Sequence, residues 1–247
     1  MTKLVEEEKH PTVLLSLLDN YGGDPFDELF DVVLPVYGLK DAQAALDITP
    51  NVVLVVWGGA DISPTIYHQV PNWHTGATEQ LSDRDVIEVK LVEWAMKNSV
   101  PMIGVCRGAQ LMCALSGGTL IQHVNGHTNG FHTMVVDDGR EFNVPSLHHQ
   151  MMNPWSMSPA PKFKIIGWSK PALSDVYLGE PDETSTVVGR VSKKVEMPME
   201  PEIIWFPDTK ALCIQSHPEF IHNAKHPFRI YCNELVQKYC LNIEESK

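Results

Sequence analysis

The sequence is short of basic residues. Its 247 residues include 19 Lys and Arg against 31 Asp and Glu, which gives a formal net charge of −12 at pH 7. Proteins that bind nucleic acid or an anionic membrane surface usually present a basic patch, and this chain has no basic stripe. The charge balance argues against both kinds of partner and favours a small-molecule substrate.

Long apolar runs are also missing. A membrane-spanning helix needs about 20 consecutive apolar residues, and no stretch of this chain approaches that length. The first ten residues, MTKLVEEEKH, are charged and are not built like a secretory signal peptide. We therefore expect a cytoplasmic protein with no membrane partner.

Cysteines are few, and their spacing matches no structural module. They form an odd set of five without Cys-x-x-Cys spacing: Cys106, Cys113, Cys213, Cys232 and Cys240. Such a set predicts neither a disulfide framework nor a zinc module. We expect free thiols in a reducing compartment.

Short β-branched runs alternate with helical patterns along the chain. Strands are predicted over 12–18, 31–37, 51–57, 100–106, 132–138, 162–168, 202–206 and 211–215, and helices over 82–97, 107–115 and 227–239. This alternation predicts an α/β fold, with a mostly parallel sheet and helices on both faces. No repeat or interdomain linker occurs, so residues 1–247 are predicted to form one domain. The segment 178–202 is rich in proline and charge and is predicted to be a mobile or variable excursion.

The stretch GVCRGAQ (104–110) is a candidate nucleophile turn. A strand that ends in Gly-x-Cys-x-Gly and enters a helix has the construction of the Gly-x-Ser-x-Gly elbow, with Cys106 in place of serine. The helix N-terminus would favour the thiolate of Cys106 over the thiol. On the pattern alone, a buried cysteine between two packing glycines explains the stretch equally well.

A second candidate segment supplies a proton carrier. His217 follows the apolar run ALCIQ, and Glu219 stands two residues later, where a carboxylate can orient the imidazole. A lone histidine after a strand is usually a surface residue, but together with the cysteine turn a catalytic role is the better interpretation. Backbone amides of Gly59 and Arg107 are the candidate oxyanion donors, although Gly59 alone could simply be part of a strand-to-loop turn.

These motifs resemble those of class I glutamine amidotransferase-like proteins. GVCRGAQ is similar to the nucleophile motif Gly-x-Cys-x-Gly-x-Gln, and QSHPE (215–219) is similar to the segment that carries the His and Glu of that superfamily. The Arg after the cysteine, GGADISPTIY (58–67) and PSLHHQ (145–150) resemble the γ-glutamyl hydrolase branch, particularly γ-glutamyl-γ-aminobutyrate hydrolase-like proteins. The resemblance runs from the first strand to about residue 239 and implies a flavodoxin-like sandwich.

The resemblance also implies a mechanism without a cofactor. Cys106 would attack a γ-glutamyl amide, His217 would protonate the leaving amine and then activate water, and Glu219 would orient His217. The residues implied to lie near the substrate are Gln110, His148, His149 and Gln150. The chain departs from the branch at Cys113, Pro145 and Ser216, which leaves the exact substrate open.

Three function classes follow. The first is a hydrolase that acts on a small γ-glutamyl amine or peptide. The second is a glutaminase that acts on glutamine and passes ammonia to a separate synthase partner. The third is a catalytically silent binding protein, which the complete Cys, His and Glu set disfavours. A homodimer is possible in each of these classes.

Histidines raise the question of a metal, and we expect none. His123 and His127 have the i, i+4 separation that a zinc-binding helix uses, but Gly126 weakens a helix there and no Glu follows His123. The neighbouring pair His148 and His149 would point to opposite faces of a strand, so one of them is expected to be structural.

Overall fold

A nine-stranded sheet forms the centre of the molecule. The computed structural model describes residues 10–17, 24–128, 130–156, 159–184 and 191–242. The strands in these ranges are β1 Val13–Leu17, β2 Val32–Val36, β3 Val52–Val56, β4 Met102–Val105, β5 Thr119–Ile121, β6 His123–Val124, β7 Phe131–Val136, β8 Glu141–Pro145, β9 Met151–Asn153, β10 Lys164–Ser169, β11 Tyr177–Pro181, β12 Ser192–Lys194, β13 Pro201–Phe206 and β14 Ala211–Ile214. The α-helices are α1 Leu39–Ile48, α2 Asp83–Lys97, α3 Arg107–Leu115 and α4 Pro227–Tyr239. Short 3-10 helices span Asp27–Leu29, Pro64–Tyr67 and Pro218–Phe220.

The large sheet has a parallel half and an antiparallel half. Its strand order is β2-β1-β3-β4-β14-β13-β10-β7-β8. Neighbours from β2 to β14 pair parallel, whereas β14 and the strands beyond it pair antiparallel. The parallel half brings the carboxyl ends of β3, β4 and β14 to one edge, which is where α/β sheets gather their active sites. The predicted α/β class and its flavodoxin-like architecture are confirmed.

Both faces of the sheet are covered, as the sequence predicts. In β3, Val52, Leu54 and Val56 belong to one buried cluster, whereas Val53 and Val55 belong to another. Buried residues of α1, α2 and α3 complete the first cluster, and buried residues of α4 complete the second. Each face also contains core thiols: Cys113 and Cys213 lie in the first cluster, and Cys232 and Cys240 lie in the second.

Helix α2 begins where the sequence indicates. The Ser82 side chain accepts a hydrogen bond from the Asp85 backbone, and the Asp85 side chain accepts one from the Ser82 backbone. This capping box satisfies two backbone amides that a helix start otherwise leaves free. Helix α1 is missing from the sequence prediction because it buries little apolar surface: Ala42 and Ala45 are its buried residues.

Two small sheets lie beside the large one. Strand β6 pairs with β11, which pairs with β12, and β5 pairs with β9. The predicted excursion over 178–202 therefore carries ordered strands in its described part, while 185–190 lie outside the described residues. Composition did not reveal these short strands, because their backbone partners come from distant segments.

The helices were compared with the length and apolar character of a membrane span. Among the helices of the described ranges, none combines the length and apolar character that a bilayer crossing requires.

Candidate active site

Cys106 lies at the turn between β4 and α3. Its backbone has φ 48° and ψ −105°, a positive φ that non-glycine residues adopt only when their surroundings hold them there. Its amide donates to Ile214 O over 2.8 Å, and its carbonyl accepts from the Gln110 amide over 3.0 Å. The side chain is 5% exposed, and it stands at the N-terminus of α3, where the helix dipole favours an anion.

The two glycines that flank Cys106 are there because nothing larger fits. A Cβ on Gly104 would lie 2.6 Å from the Ala109 nitrogen, and a Cβ on Gly108 would lie 2.0 Å from Val56 O. Helix α3 therefore packs directly against the backbone of β3, which holds the turn in its strained conformation. The turn has the geometry that the Gly-x-Cys-x-Gly pattern predicts.

His217 and Glu219 form a buried pair after β14. His217 Nδ1 lies 2.7 Å from Glu219 Oε1, and the two residues are 4% and 3% exposed. Because β14 pairs parallel with β4, with Ile214 opposite Val105, the segments that follow the two strands emerge side by side. A Cβ on Gly58 would lie 3.2 Å from His217 Cε1 and 3.5 Å from Cys106 Cβ. The thiol and the imidazole therefore flank the same point above the end of β3.

The surroundings of His217 favour its charged form. Burial lowers the pKa of His217, but hydrogen bonding and charge from Cys106 and Glu219 outweigh burial and raise it to about 10. An imidazolium between a thiol and a carboxylate can stabilise a thiolate on one side while the carboxylate fixes its orientation on the other. The arrangement can therefore supply both a nucleophile and a proton donor.

Gly58 offers a direct test of this spacing. The substitution Gly58→Ala would place a methyl group against both the His217 ring and the Cys106 side chain. We expect kcat/KM on any substrate of this site to fall by about 10- to 100-fold, because displacements of about 1 Å in reacting groups have effects of that size. Far-UV circular dichroism and the thermal midpoint should change little.

Gly38→Ala is the matched control for that variant. Gly38 has extended backbone with φ 174°, and no atom of the described residues lies within 4 Å of its added Cβ. This variant should retain wild-type kcat/KM. Equal activity of the two variants would show that the space above Gly58 is not part of the reacting site.

The oxyanion candidates Gly59 and Arg107 lie next to each other. A Cβ on Gly59, whose φ is +147°, would lie 3.5 Å from Arg107 Cδ. The Arg107 side chain is 2% exposed and forms ion pairs with Asp85, at 2.6 Å, and with Glu88. Burial lowers the pKa of Arg107 to about 10 despite the charge of Asp85, so the guanidinium is charged at neutral pH. The Arg107 side chain holds α2 against α3, and its backbone stays at the start of the helix beside Cys106.

Three glutamines form a buried chain that reaches the sulfur. Gln110 Nε2 donates to Gln150 O over 3.0 Å and lies 3.4 Å from Gln215 Oε1. Gln215 Nε2 lies 3.8 Å from Cys106 Sγ. The sequence predicts sites at Gln110 and Gln150 but assigns no role to Gln215, although the segment QSHPE begins with it. Its position after a strand that leads to His217 is the signal that could have identified it.

The two neighbouring histidines diverge. His148 is 5% exposed, and its Nδ1 lies 2.9 Å from Gln150 O. His149 is partly exposed and lies 3.0 Å from Asp61 Oδ2, and hydrogen bonding to Asp61 raises the pKa of His149 despite partial burial. The structure places them in a loop rather than on a strand, yet the expectation that they face different surroundings holds. A substrate contact for either of them stays a prediction.

A cavity opens beside the oxyanion candidates. It has a volume of about 600 Å³, and its lining includes Ala60, Asp61, Asp83, Arg84 and Arg107. A cavity of this size accommodates a small molecule. Arg107 and Ala60, the residue after Gly59, line it, whereas Cys106, His217 and Glu219 do not.

Part of the chain is similar in sequence to known proteins. The peptidase C26 family matches residues 29–138, a segment that contains Cys106 but not His217 or Glu219. Protein NtpR of Enterococcus hirae is 40% identical over 91 residues, covering 37% of this chain and 36% of that protein. A protein of Lactococcus lactis subsp. cremoris, named as a YvdE homolog and glutamine amidotransferase-like, is 36% identical over 104 residues, covering 41% of this chain and 53% of the relative. The matches thus span about a third to a half of these relatives.

Solved structures agree on the fold. A crystal structure described as that of a GMP synthase subunit from Thermoplasma acidophilum superposes with a TM-score of 0.54. The match covers 95% of this chain and 96% of that one at 16% sequence identity, so it speaks for the fold alone. The chain is therefore similar in part of its sequence to peptidase C26 and glutamine amidotransferase-like proteins, and it shares the fold of solved amidotransferase structures.

Proposed function

We propose that this chain is a cysteine-dependent hydrolase that cleaves the γ-glutamyl amide bond of a small γ-glutamyl amine or peptide. The observation that carries the proposal is the arrangement of Cys106, His217 and Glu219 around the end of β3. The match of residues 29–138 to the peptidase C26 family supports hydrolysis rather than binding alone. Cys106, His217 and Glu219 are the proposed catalytic residues.

The reaction would proceed in two halves. The Cys106 thiolate attacks the γ-carbonyl carbon, and the amides of Gly59 and Arg107 donate to the oxygen that becomes negatively charged. His217 gives its proton to the leaving amine as the C–N bond breaks, which leaves a glutamyl thioester on Cys106. His217 then takes a proton from water as the water attacks the thioester. Glutamate leaves, and the thiolate and imidazolium are restored.

Glutamines would hold the glutamyl group in the substrate pocket. Gln110 and Gln150 are linked by a hydrogen bond and buried beside the Gln215 amide. Gln150 Oε1 has no hydrogen-bond partner within the described part of the chain, so it can accept one from the α-ammonium group of a glutamyl substrate. The leaving amine would extend into the cavity beside Gly59.

The second candidate is the glutaminase component of an amidotransferase, with ammonia passed to a separate synthase partner. Its support is the glutamine amidotransferase-like name of the Lactococcus lactis relative. Both candidates share the thioester chemistry and differ in the leaving group and in dependence on a partner.

Substrate preference separates the two candidates. Glutamate release should be measured on glutamine, γ-glutamyl-γ-aminobutyrate, γ-glutamyl polyamines and γ-glutamyl peptides. The hydrolase proposal predicts that kcat/KM for one γ-glutamyl amine or peptide exceeds that for glutamine by at least about tenfold, the selectivity that a few pocket contacts supply. Preference for glutamine together with stimulation by an added synthase would favour the glutaminase. Absence of release from every compound would contradict the hydrolase.

The pH profile tests the pair of His217 and Glu219. Because the pKa of His217 is raised to about 10, the imidazolium persists through neutral pH and is lost only above pH 10. We therefore expect an alkaline limb of kcat/KM near pH 10. Glu219→Gln removes the carboxylate that raises the pKa of His217, so the alkaline limb should move to lower pH. Glu234→Gln is the control, because Glu234 pairs with the exposed Arg140, and its profile should match the wild type. An unmoved limb in Glu219→Gln would contradict the assigned pairing.

A further inference from the structure

A second buried polar cluster, which the proposed reaction does not use, lies beside the catalytic segment. We call it the histidine cluster. Its four members come from separate segments: His127 follows β6, His132 belongs to β7, His148 follows β8, and Glu202 belongs to β13. Each is at most 8% exposed. Imidazole and carboxylate groups enter a protein interior when a partner compensates for the lost water.

Ligand atoms of three members of the histidine cluster converge on one point, and His132 approaches one of these three, Glu202. Single ligand atoms of His127, His148 and Glu202 all lie within 4.8 Å of one another. Glu202 Oε1 is 2.9 Å from His132 Nε2, 3.7 Å from His127 Nδ1 and 3.9 Å from His148 Nε2. These separations are close to the ligand spacing around a small metal ion, which is about 3.3 Å for tetrahedral bonds of about 2.0 Å.

Several of these inward atoms have no hydrogen-bond partner. Within the described ranges this holds for both carboxylate oxygens of Glu202, for His148 Nε2 and for both ring nitrogens of His132. The short approach of His132 to Glu202 therefore lacks hydrogen-bond geometry. Unsatisfied buried polar atoms are costly and uncommon in folded proteins. Their convergence points to an occupant that binds lone pairs.

The outward nitrogens of two histidines are held in place. His127 Nε2 lies 3.2 Å from Glu200 Oε2, and His148 Nδ1 lies 2.9 Å from Gln150 O. Metal-binding histidines show this arrangement, in which one ring nitrogen donates to a carboxylate or carbonyl and the other carries the free lone pair.

Glu200 is itself held in place beside His127. It accepts hydrogen bonds from the Leu173 and Ser174 amides and from the Tyr177 hydroxyl. These donors fix the Glu200 carboxylate beside His127 Nε2, which leaves His127 Nδ1 as the nitrogen that faces Glu202.

We propose that His127, His148 and Glu202 bind a zinc ion, with His132 beside the Glu202 carboxylate. Two imidazoles and a carboxylate are nitrogen and oxygen donors that suit zinc, and three protein ligands leave the fourth position of a tetrahedral site to another group. The site differs from the sequence-based expectation of no metal, which considered the pair His148 and His149 and also the pair His123 and His127. Those two belong to different surroundings, since His123 stacks on His74 with ring centroids 4.0 Å apart.

Zinc at this position would connect a strand of the large sheet to a loop of the candidate active site. The metal would link β13, together with the segment that follows β6, to the loop that follows β8. That loop continues from His148 into His149 and Gln150, which lie near Asp61 and Gln110. The proposal does not depend on the identity of the substrate.

Metal content tests the proposal directly. The full chain with Cys106→Ala serves as the background, because the catalytic thiol could itself bind zinc. The protein is stripped with a chelator, incubated with Zn²⁺, separated from free metal, and analysed by mass spectrometry for zinc. About one zinc per chain is expected, because the three ligand residues surround a single position. Zinc should also raise the thermal midpoint of the stripped protein.

Two further variants locate the ion. Adding Glu202→Gln should reduce bound zinc at least about tenfold, since even the loss of a group that only hydrogen-bonds a metal ligand reduces metal affinity by about 10- to 100-fold. Adding His123→Asn, which alters the separate histidine stack instead, should leave bound zinc unchanged. If Glu202→Gln fails to fold, Co²⁺ bound to the background protein should show the intense visible bands of a tetrahedral ion with nitrogen and oxygen donors. Absence of bound metal in the folded background protein, or loss of zinc in His123→Asn alone, would overturn the proposal.

Discussion

Replacement of Cys106 with alanine should reduce glutamate release by about 10⁴- to 10⁶-fold, the loss seen when a nucleophile that acts as part of a unit is removed. The thioester cannot form without the sulfur. Alanine also fills less space than cysteine at a position that is already nearly buried, so the fold should persist. Release assays with matched circular dichroism spectra provide the measurement.

Cys113→Ala is the control for this loss. Cys113 lies in α3, two turns after Cys106, and burial raises the pKa of its thiol to about 12. Its loss should leave kcat/KM near the wild-type value. Residual activity of Cys106→Ala within tenfold of the wild type would rule out the proposed covalent route.

Selective labelling gives independent support for the same assignment. Burial raises the pKa of the thiols of Cys213, Cys232 and Cys240 as well, so these thiols stay protonated and unreactive in the native protein. A glutamine-like electrophile should therefore modify about one cysteine per chain, and mass mapping should place the label on Cys106. Labels distributed over several cysteines would contradict a pre-activated thiolate.

Removal of the Arg107 side chain should have the largest effect on stability. Arg107→Leu would remove the guanidinium that pairs with the buried carboxylates of Asp85 and Glu88, and Glu88 would keep its pair with Arg84. Breaking a buried ion pair on one side costs about 3–5 kcal/mol. We expect the free energy of unfolding, measured with urea, to fall by that amount, which is a large part of the usual total of about 5–15 kcal/mol.

A compensating variant distinguishes the charge effect from lost packing. The double variant Arg107→Leu/Asp85→Asn removes the carboxylate charge that loses its ion-pair partner and should recover part of the lost stability, because the cost comes from an uncompensated buried charge. The backbone amide of residue 107 is still present in both variants, so kcat/KM per folded molecule should change far less than stability. A large loss of kcat/KM at unchanged stability would instead assign the guanidinium to the substrate.

Local patterns identified much of the fold and of the site in advance. Strands β1, β3, β4 and β14 were visible as apolar runs, because both of their faces are buried. The Cys106 turn was recognisable because two glycines and a strand-to-helix change occur within a few residues. His217 and Glu219 were recognisable because they follow a buried strand directly.

Contacts between distant segments were beyond local patterns. The sequence prediction missed α1, which buries only two alanines, and it missed β5, β6, β9 and β12, which have two or three residues each. It also missed β8 and β11, whose pairing depends on tertiary partners. The histidine cluster unites four segments of chain, and no two of its members have a spacing that indicates a shared site. The ion pairs of Arg107 depend on how α2 packs against α3, which composition cannot predict.

The division of thiols between the two faces of the sheet has a use beyond catalysis. Cys113 and Cys213 lie under one layer of helices, and Cys232 and Cys240 lie under the other. A buried thiol reacts with a reagent only when the surrounding structure opens, so its modification rate reports the frequency of that opening. With Cys106 blocked, the modification rates of the buried thiols therefore report the opening of each layer separately. Peptide mapping over time would reveal whether the two layers open together or in sequence.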